Sequence, residues 1–459
     1  MKGRAGAAPT PYIPNTDADR AAMLARVGLA STEELFKELP ADQRDPPIDL
    51  PPSLGELDLL EHLRVLARRN AAAQERPSFL GAGAYRRFVP AVTGSLAARS
   101  EFMTAYTPYQ PEISQGTLQS AFEFQSVVCE LTGLAVANTG LYDGASATAE
   151  ACLLAARVTR RSAVALLEPI HPGTADVVRT YAYGAGLRVD MIGSAAQMTG
   201  EHAAVVVQQP DFLGTIRDIE PIAETAHAAG ALCVTVVDPL TLGLLRAPGD
   251  AGADIVTGEG RDLAGPVAFG GPSLGLFAAR EVYLRQMPGR IVGRTQEQHG
   301  ARGGDESEAS PRTGYVLTLQ TREQFIRRER ATSNFSTGQS LLALAFTITL
   351  QALGPQGLRE QAALCYQKAH NAAARAAALP GFAVVERGPW FQEFLLRGPL
   401  PAAAVRAALA ERGIEAGLDM SDRSEPEARA ALLMCVTETT TEQEVDALVA
   451  ALTAIGDVT

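Results

Sequence analysis

Three segments of the sequence carry residue types that could hold a phosphorylated cofactor. The first, Tyr142-Asp143-Gly144-Ala145-Ser146, leads into a predicted helix whose first backbone N–H groups could bind a phosphate. In the second, Asp238 follows an apolar run and could pair with a protonated ring nitrogen. The third extends from Ala253 to Gly275 and joins an apolar run to a glycine-rich turn. Each has a simpler interpretation, because Asp143 or Ser146 can cap a helix and a strand-end aspartate often belongs to a turn.

The third segment is similar to the stretch of pyridoxal-phosphate enzymes in which a strand is followed by the Schiff-base lysine. A carbonyl cofactor needs an amine, and lysines are scarce in this chain. Only Lys2, Lys37 and Lys368 occur, so residues 38–367 contain none. The same span excludes a P-loop, whose pattern requires a lysine after its glycines.

Other chemistries have weaker support in the sequence. The six histidines form no HxxxH or HExxH pair and the five cysteines form no CxxC pair, so we expect no metal site. Gly271–Gly275 matches the letters of a serine-hydrolase elbow but precedes an apolar run instead of following one. The GAGAYR segment at residues 81–86 lacks the third glycine of a dinucleotide fingerprint.

Composition restricts the class of protein. With 459 residues and 46% apolar content, the chain is long enough for about three domains with buried cores. Its net charge of −12 gives no reason to expect nucleic acid or an anionic membrane as a partner. The longest apolar run, near residues 341–350, is too short to span a membrane, and the first residues lack a signal-peptide core. We therefore expect a cytoplasmic protein with reduced, buried cysteines.

The order of predicted elements indicates an α/β fold. Six short apolar runs, separated by helix-length segments, predict a mostly parallel sheet covered on both faces; they begin near residues 163, 187, 203, 231, 254 and 274. Ligands of such sheets bind beyond the carboxyl ends of the strands. The preferred positions for a site therefore follow the runs, at residues 208–212, 238–241 and 258–262.

We predict three regions along the chain. An N-terminal helical arm occupies residues 1–85, in which Thr16 and Asp19 have capping-box spacing. A large α/β domain occupies residues 86–330, and a smaller α+β domain occupies residues 331–459. The polar stretch 294–314 is interpreted as a surface loop, and a long helical region is expected from about residue 322 to residue 353.

Several long motifs, in order, identify a family. The chain resembles the P-protein of the glycine cleavage system, and specifically subunit 1 (alpha) of its split bacterial form, through the following segments: YIPNT, LGAGAYRRFVPAV, TAYTPYQPEISQGTLQ, LYDGASATAEA, GADIVTGEGRDLAGPVAFGGPSLGLFA and LTLQTREQFIRRERATSN. The resemblance covers nearly the whole chain. It implies the aspartate-aminotransferase-like fold (fold type I of pyridoxal-phosphate enzymes) and an α2β2 assembly. It also implies an enzyme that decarboxylates glycine and passes the aminomethyl group to the lipoyl arm of H-protein.

The resemblance also implies where the cofactor is bound. In the catalytic beta subunit of the family, a lysine lies eight residues after a strand-end aspartate. Aligned on Asp254, that lysine position falls on Asp262, and an acid cannot form the Schiff base. We therefore expect no covalently bound cofactor in this chain and pyridoxal phosphate in the beta subunit. Gly144, Ser146, Asp238 and Asp262 then mark a vestigial cofactor pocket.

A second set of candidate residues lies in the proline-rich segment 106–115. Pro108 and Pro111 fix the backbone and favour a stiff loop. The corresponding region of related folds lies near the neighbouring subunit's cofactor, so the resemblance predicts an interfacial contribution from Tyr106, Tyr109, Glu112, Ser114 and Gln115. Without the resemblance, a solvated surface turn would be the better interpretation.

The chain departs from the family pattern at two places. Tyr-Asp-His-Tyr is replaced by Tyr85-Arg86-Arg87-Phe88, and the histidine of Arg-Glu-Gln-His is replaced by Phe325. Three functions stay open at this point: an obligate subunit that shapes an interfacial active site, a purely structural scaffold, and an autonomous pyridoxal enzyme. The segment 106–115 distinguishes the first from the second, because a scaffold has no need of its polar side chains.

Overall fold

The structure is a computed structural model that describes residues 12, 14–44, 49–73, 75–296, 312–319, 326–328, 331–422 and 428–457. The chain divides into two compact units, Met1–Ala71 and Ala72–Thr459. The predicted boundaries at residues 85 and 330 stay predictions.

The first unit contains two helices, α1 (Asp17–Val27) and α2 (Glu56–Ala67), with 3-10 turns between them. The predicted capping box begins α1: the Thr16 hydroxyl accepts from the Asp19 N–H at 3.2 Å, and the Asp19 carboxylate accepts from the Thr16 N–H at 2.8 Å. Leu57, Leu60 and Leu63 on α2 are exposed. The arm therefore presents an apolar helix face.

The second unit is built on a seven-stranded sheet in the order β1-β7-β6-β5-β4-β2-β3. Its strands are β1 Val136–Ala137, β2 Ala163–Leu167, β3 Arg188–Ile192, β4 His202–Gln209, β5 Leu232–Val237, β6 Ile255–Glu259 and β7 Gly275–Ala279. Strands β2 to β6 pair in parallel, whereas β7 is antiparallel to β6 and β1. All six predicted apolar runs are strands, so the predicted α/β fold with a mostly parallel sheet is confirmed.

Helices cover both faces of this sheet. They include α5 Gln115–Thr132, α6 Gly144–Thr159, α7 Pro172–Ala185 and α8 Ile219–Ala228; two shorter helices, α3 Ala91–Ala97 and α4 Ser100–Met103, precede them in the chain. The first turns of α6 are almost entirely buried, because small residues such as Ala147 and Ala151 allow the helix to lie close to the sheet. This close packing places the N-terminus of α6 beside the carboxyl end of β6, where Gly144 has no room for a Cβ atom: it would lie 2.9 Å from the carbonyl carbon of Gly258.

The C-terminal part of the chain forms a second, antiparallel sheet. Its strands are β10 Ala383–Val384, β11 Glu393–Arg397, β12 Leu418–Asp419 and β13 Ala431–Cys435, and the helices are α9 Ser340–Ala377, α10 Ala402–Ala410 and α11 Glu442–Gly456. Phe79 is fully buried in the core of this part. The segment after the arm thus packs against the C-terminal sheet.

Helix α9 is the one described helix long and apolar enough to cross a membrane. It is kinked at Gly354 (φ 64°), just before Pro355, as the GPQG sequence indicates. Phe346 and Leu350 belong to the core cluster on the sheet, which explains the apolar character of its first half.

Two sequence expectations are wrong in detail. The expected loop 294–314 begins and ends in a β-hairpin of β8 (Ile291–Gln296) and β9 (Thr313–Thr318); its residues 297–311 lie outside the described part. The helix expected from residue 322 begins at Ser340. Residues 322–325 and 329–330 of the expected helix lie outside the described part, and residues 326–328 form a 3-10 turn. Residues 331–339 form no regular helix; there the Ser333 hydroxyl donates to Glu150 and the Ser336 N–H donates to the Tyr142 hydroxyl. The Phe325 substitution also lies outside the described residues.

The core predicts a large cost for removing Phe277, which is fully buried on β7 in the cluster that contains Leu154 and Val234. Phe277→Ala is expected to lower the free energy of unfolding by about 3–5 kcal/mol, measured by urea denaturation. The matched control is Phe269→Ala, since Phe269 is fully exposed; its effect is expected within about 0.5 kcal/mol. Equal effects of the two substitutions would contradict this view of the core.

Candidate functional site

A cavity of about 340 Å³ lies beyond the carboxyl ends of β4, β5 and β6, between the sheet and the C-terminal part of the chain. Gly144, Asp238 and Asp262, predicted at separate points of the sequence, all line it. The lining residues Gln208, Glu259 and Arg261 lie in the stretches after the apolar runs where the sequence favoured a site, whereas Tyr85, His171, Gln392 and Glu393 were missed.

Two carboxylates satisfy the N-terminus of α6. Asp143 is the N-cap: its carboxylate accepts from the Ser146 N–H at 2.7 Å and from the Ser146 hydroxyl at 2.7 Å. Glu259 accepts from the Gly144 N–H at 3.1 Å. A helix N-terminus ordinarily attracts an anion, and here the chain's own side chains supply the negative charge. Ser146 therefore donates two hydrogen bonds to Asp143, the N-cap residue of α6, through its N–H and its hydroxyl.

Asp238, at the end of β5, is paired with a buried arginine. Its Oδ2 accepts from Arg87 Nη2 at 2.6 Å and from Gln392 Nε2 at 3.2 Å, and its Oδ1 accepts from the Leu240 N–H at 3.1 Å. The Arg87 side chain is 1% exposed. Burial alone would lower the pKa of Arg87, but Asp238, Cys365 and Glu438 hold it well above the usual value.

The Arg87 guanidinium also connects to the C-terminal part of the chain. Nη1 donates to Gln392 Oε1 at 2.8 Å and lies 3.5 Å from Glu438 Oε2 and 3.1 Å from the Cys365 sulfur. Arg86 points the other way and forms a two-oxygen contact with Glu444 on α11, at 2.9 and 3.1 Å. Arg86 and Arg87, which replace other residues of the family pattern, therefore fix the segment 82–90 in place.

Asp262, at the expected lysine position, is 7% exposed and doubly hydrogen-bonded. Its Oδ2 accepts from the Tyr85 N–H at 2.8 Å, and its Oδ1 accepts from Arg261 Nε at 2.9 Å. Burial raises the pKa of Asp262, although Arg261 acts in the opposite direction. Arg261 in turn donates to the Gly83 carbonyl at 3.1 Å. Asp262 thus holds the segment before Arg86 against the sheet.

Glu393 closes the cavity from the side of β11. Its Oε1 accepts from the Ala82 N–H at 2.6 Å, and its Oε2 accepts from the Tyr85 hydroxyl at 2.9 Å. Burial raises the pKa of Glu393 to about 7. The nearby His171 accepts from the Gly173 N–H through Nδ1, so its Nε2 carries the proton that bonds to the Ala82 carbonyl at 3.0 Å. The only sequence signal for Glu393 is a charge at the start of an apolar strand.

The segment 106–115 lies outside this cavity, since none of its residues lines it. Its middle, Pro111–Ile113, forms a short 3-10 turn rather than an irregular loop. Tyr106 and Glu112 are exposed. The Tyr109 hydroxyl lies 3.3 Å from Arg290 Nη2, and the guanidinium stands 5.5 Å from the centre of the ring.

Gln115 fixes the end of that segment. Its side-chain amide accepts from the Tyr315 N–H at 2.8 Å and donates to the Tyr315 carbonyl at 2.9 Å, as an extra partner for β9. Ser114 is half-buried at the N-cap of α5. Among the residues that the structure describes, no group of three or more His, Cys, Asp or Glu side chains could hold a metal ion.

Comparison with known proteins decides the family. The model of the glycine cleavage system P-protein family matches residues 10–452. The chain belongs to that family. It is 48% identical over 455 residues to a protein of Moorella thermoacetica named probable glycine dehydrogenase (decarboxylating) subunit 1, which covers 97% of this chain and 99% of the relative. It is 47% identical over 454 residues to the Rhodospirillum rubrum protein of the same name, covering 96% of this chain and 99% of the relative.

Solved structures agree on the fold. An inhibitor-bound glycine decarboxylase (P-protein) superposes with a TM-score of 0.86 at 44% identity, over 97% of this chain and 99% of that chain. The sphingosine-1-phosphate lyase of Burkholderia pseudomallei superposes with a TM-score of 0.64 at 16% identity, over 91% and 94% of the two chains. The P-protein chain thus has the predicted fold of the fold type I pyridoxal-phosphate enzymes.

The residues of this cavity do not fit pyridoxal phosphate. Asp262 lies where the resemblance predicts the lysine, and Asp238 is engaged by Arg87 instead of facing a free ring site. Where a phosphate would bind at the N-terminus of α6, the carboxylates of Asp143 and Glu259 would repel it. The charged groups around the cavity are therefore paired within the chain: Asp238 with Arg87, and the α6 N-terminus with Asp143 and Glu259.

The raised pKa of Glu393 predicts how stability depends on pH. The folded chain binds this proton up to about pH 7, whereas an unfolded glutamate releases it near pH 4.3. Ionisation therefore costs the folded state up to about 4 kcal/mol as pH rises between these values. Glu393→Gln removes that cost, so its stability relative to the unsubstituted chain is expected to improve from about pH 5 to about pH 8 in urea unfolding.

The control for this series is Glu386→Gln, since Glu386 is an exposed glutamate of the same region. Its unfolding free energy is expected to follow the unsubstituted chain at both pH values. A Glu393→Gln profile parallel to that of the unsubstituted chain would show that the carboxyl is already ionised in the folded state.

Proposed function

We propose that this chain is the alpha subunit of a split glycine decarboxylase and acts without a cofactor of its own. The full-length similarity to proteins named subunit 1 supports the subunit role. The observation that carries the absence of a cofactor of its own is Asp262, which is buried and accepts two hydrogen bonds at the expected lysine position. Its partner is a beta subunit in an α2β2 assembly, in the bacterial cytoplasm.

In this proposal, pyridoxal phosphate belongs to the beta subunit. There it supplies the electron sink that lets glycine lose its carboxylate, and the aminomethyl group passes to the lipoyl arm of H-protein. The vestigial positions Gly144, Ser146, Asp238 and Asp262 serve this chain by packing and hydrogen bonding. They keep the α6 N-terminus and the segment 82–90 in fixed positions.

The contribution of this chain to the active site comes from the segment 106–115. Its hydrogen bonds to Arg290 and Tyr315 anchor it at both ends, while the Tyr106 and Glu112 side chains extend into solvent. An anchored segment with outward polar groups is preorganised for contact with another chain. We assign Tyr106, Tyr109, Glu112, Ser114 and Gln115 to the interface around the partner's cofactor. The role of Gln115 is to hold the segment against β9.

A purely structural scaffold is the second candidate. The internal charge matching of the cavity favours it, because a chain that satisfies its own vestigial site has no catalytic group there. The exposed apolar face of α2 would serve a scaffold and an active-site subunit equally well. Only the segment 106–115 separates the two candidates.

The absence of a lysine among the residues that line the cavity predicts that the purified chain forms no stoichiometric pyridoxyl adduct. After incubation with pyridoxal phosphate and borohydride, peptide mass spectrometry is expected to find none at Lys368, whose ammonium is held by the backbone carbonyl of Thr440 at 2.7 Å. A stoichiometric adduct at Lys368 would favour the autonomous pyridoxal enzyme.

The variant Asp262→Lys serves as the companion experiment, because it restores the amine. Since Arg87 still engages Asp238 and two carboxylates still occupy the α6 N-terminus, it is expected to give no stoichiometric adduct either. A stoichiometric adduct at residue 262 would show that the lysine alone was missing.

The proposed interfacial segment is tested by Tyr109→Phe and Glu112→Ala in the coexpressed complex. Loss of one buried polar contact typically costs about 1–3 kcal/mol, so decarboxylation should fall by roughly fivefold to a hundredfold. Complex size and the absorbance of the bound cofactor should be unchanged. The matched control is Tyr183→Phe, at an exposed tyrosine on α7, which should keep the full rate. Full rates for both segment variants would favour the scaffold.

A further inference from the structure

The cavity beyond β4, β5 and β6 has a negatively charged end. Asp143 and Glu259 both line it, and both are only partly buried. Each accepts a hydrogen bond from the first turn of α6, Asp143 from the Ser146 N–H at 2.7 Å and Glu259 from the Gly144 N–H at 3.1 Å. The two carboxylates therefore lie at the same end of the helix.

The charge of these two carboxylates exceeds what the helix compensates. A helix N-terminus is equivalent to about +0.5 elementary charge, so two ionised carboxylates leave about −1.5 there. No described arginine, lysine or histidine forms an ion pair with Asp143 or Glu259 within 4.0 Å. Arg261 also lines the cavity, but its guanidinium donates to Asp262 and to the Gly83 carbonyl. A cation is therefore the charge that this end of the cavity lacks.

Both carboxylates keep capacity to accept further hydrogen bonds. From the described residues, Asp143 Oδ1 and Oδ2 accept one bond each, from the N–H and the hydroxyl of Ser146. Glu259 Oε2 accepts one, from the Gly144 N–H. A carboxylate oxygen has about two lone pairs, so each of these three oxygens can accept one more donor.

Thr174 adds a hydroxyl without a partner to the same wall. It lies in the first turn of α7 and is 8% exposed, and its hydroxyl forms no hydrogen bond with a described residue. Its oxygen is nevertheless accessible to water, and the residue lines the cavity. Side-chain hydroxyls in such buried residues ordinarily have a partner. Independently of the carboxylates, Thr174 thus indicates a ligand with a hydrogen-bonding group.

The cavity also offers an apolar surface. The side chains of Val177 and Val237 and the ring of Phe391 line it. The volume of about 340 Å³ is within the range of small-molecule sites. The cavity thus combines a charged end with room for a carbon skeleton.

From these contacts we propose that the cavity binds a small organic ammonium ion, with the ammonium at Asp143 and Glu259 and the carbon skeleton against the apolar surface. An ammonium has three N–H donors, enough for both carboxylates and the Thr174 hydroxyl. The same carboxylates would repel an anion, and a neutral molecule would leave their charge uncompensated. The charges that make the cavity unsuited to a phosphate therefore make it suited to a cation.

This site is independent of the proposed subunit role. Its wall belongs to this chain alone, and it needs neither the segment 106–115 nor the partner's cofactor. The decarboxylation rate of the complex tests the subunit role, whereas binding to the purified full chain tests this site. Failure of one measurement therefore does not imply failure of the other.

The experiment is isothermal titration of the purified full chain with benzylamine, in a phosphate buffer free of amines. The matched probes are benzyl alcohol, which lacks the charge, and benzoate, which carries the opposite charge. Because hydrogen bonds between charged groups are the strong ones, benzylamine is expected to bind at least about tenfold more tightly than either probe. Equal affinities of the three compounds, or no binding of benzylamine, would overturn the proposal.

Two variants remove one charge each. Glu259→Gln and Asp143→Asn keep an acceptor for the α6 N–H groups, and asparagine is a good N-cap, so both variants should fold. Each is expected to weaken benzylamine binding at least about fivefold and to leave benzyl alcohol binding unchanged. The control is Asp176→Asn, at an exposed aspartate of α7 outside the cavity, and it should bind normally.

Thermal melts establish that each variant is folded. Unchanged benzylamine affinity in a folded Glu259 or Asp143 variant would overturn the site, and if a variant does not fold, the three probes on the unsubstituted chain decide. Thr174→Val removes the hydroxyl at constant shape and is expected to weaken benzylamine binding about threefold to tenfold. Unchanged affinity in this variant would show that charge alone attracts the amine, which contradicts a built site.

Discussion

The guanidinium of Arg87 meets three parts of the chain at one buried point. It joins the segment 82–90 to Asp238 at the end of β5 and to Gln392 and Glu438 of the C-terminal part. A charge 99% removed from solvent is tolerable only when such partners surround it, and removal of one partner typically costs about 3–5 kcal/mol. The position of the C-terminal sheet relative to the large sheet therefore depends on this contact.

The same network places charges of this chain around the cavity. A cofactor of this fold would bring one cationic ring nitrogen and one anionic phosphate, and the chain supplies both charges itself. Arg87 provides the cation beside Asp238, while Asp143 and Glu259 provide anions at the α6 N-terminus. Asp262 and Glu393 then hold the backbone of residues 82–85 over the cavity.

The sequence predicted the strands well, because uniformly apolar runs such as 203–209 leave few alternatives to a buried parallel strand. It also singled out Gly144, at a predicted helix start, and Asp238 and Asp262, after predicted strands, and all three line the cavity. The roles of Arg87 and Glu393 could not be predicted from the sequence. Arg87 contacts Asp238, which is 151 residues away in the chain, and Glu393 contacts Ala82, which is 311 residues away. The start of α9 was missed because Ser333 and Ser336 form hydrogen bonds to Glu150 and Tyr142, about 190 residues away in the chain, and local periodicity carries no signal of such contacts.

In the proposed function, two chains divide one active site and only the partner holds the cofactor. The most direct measurement is the pyridoxal content of the purified complex of this chain with its beta subunit, determined together with the glycine decarboxylation rate of each chain and of the complex. The account predicts one pyridoxal for each pair of chains and activity only in the complex. Two pyridoxals for each pair, or full activity in the beta subunit alone, would contradict it.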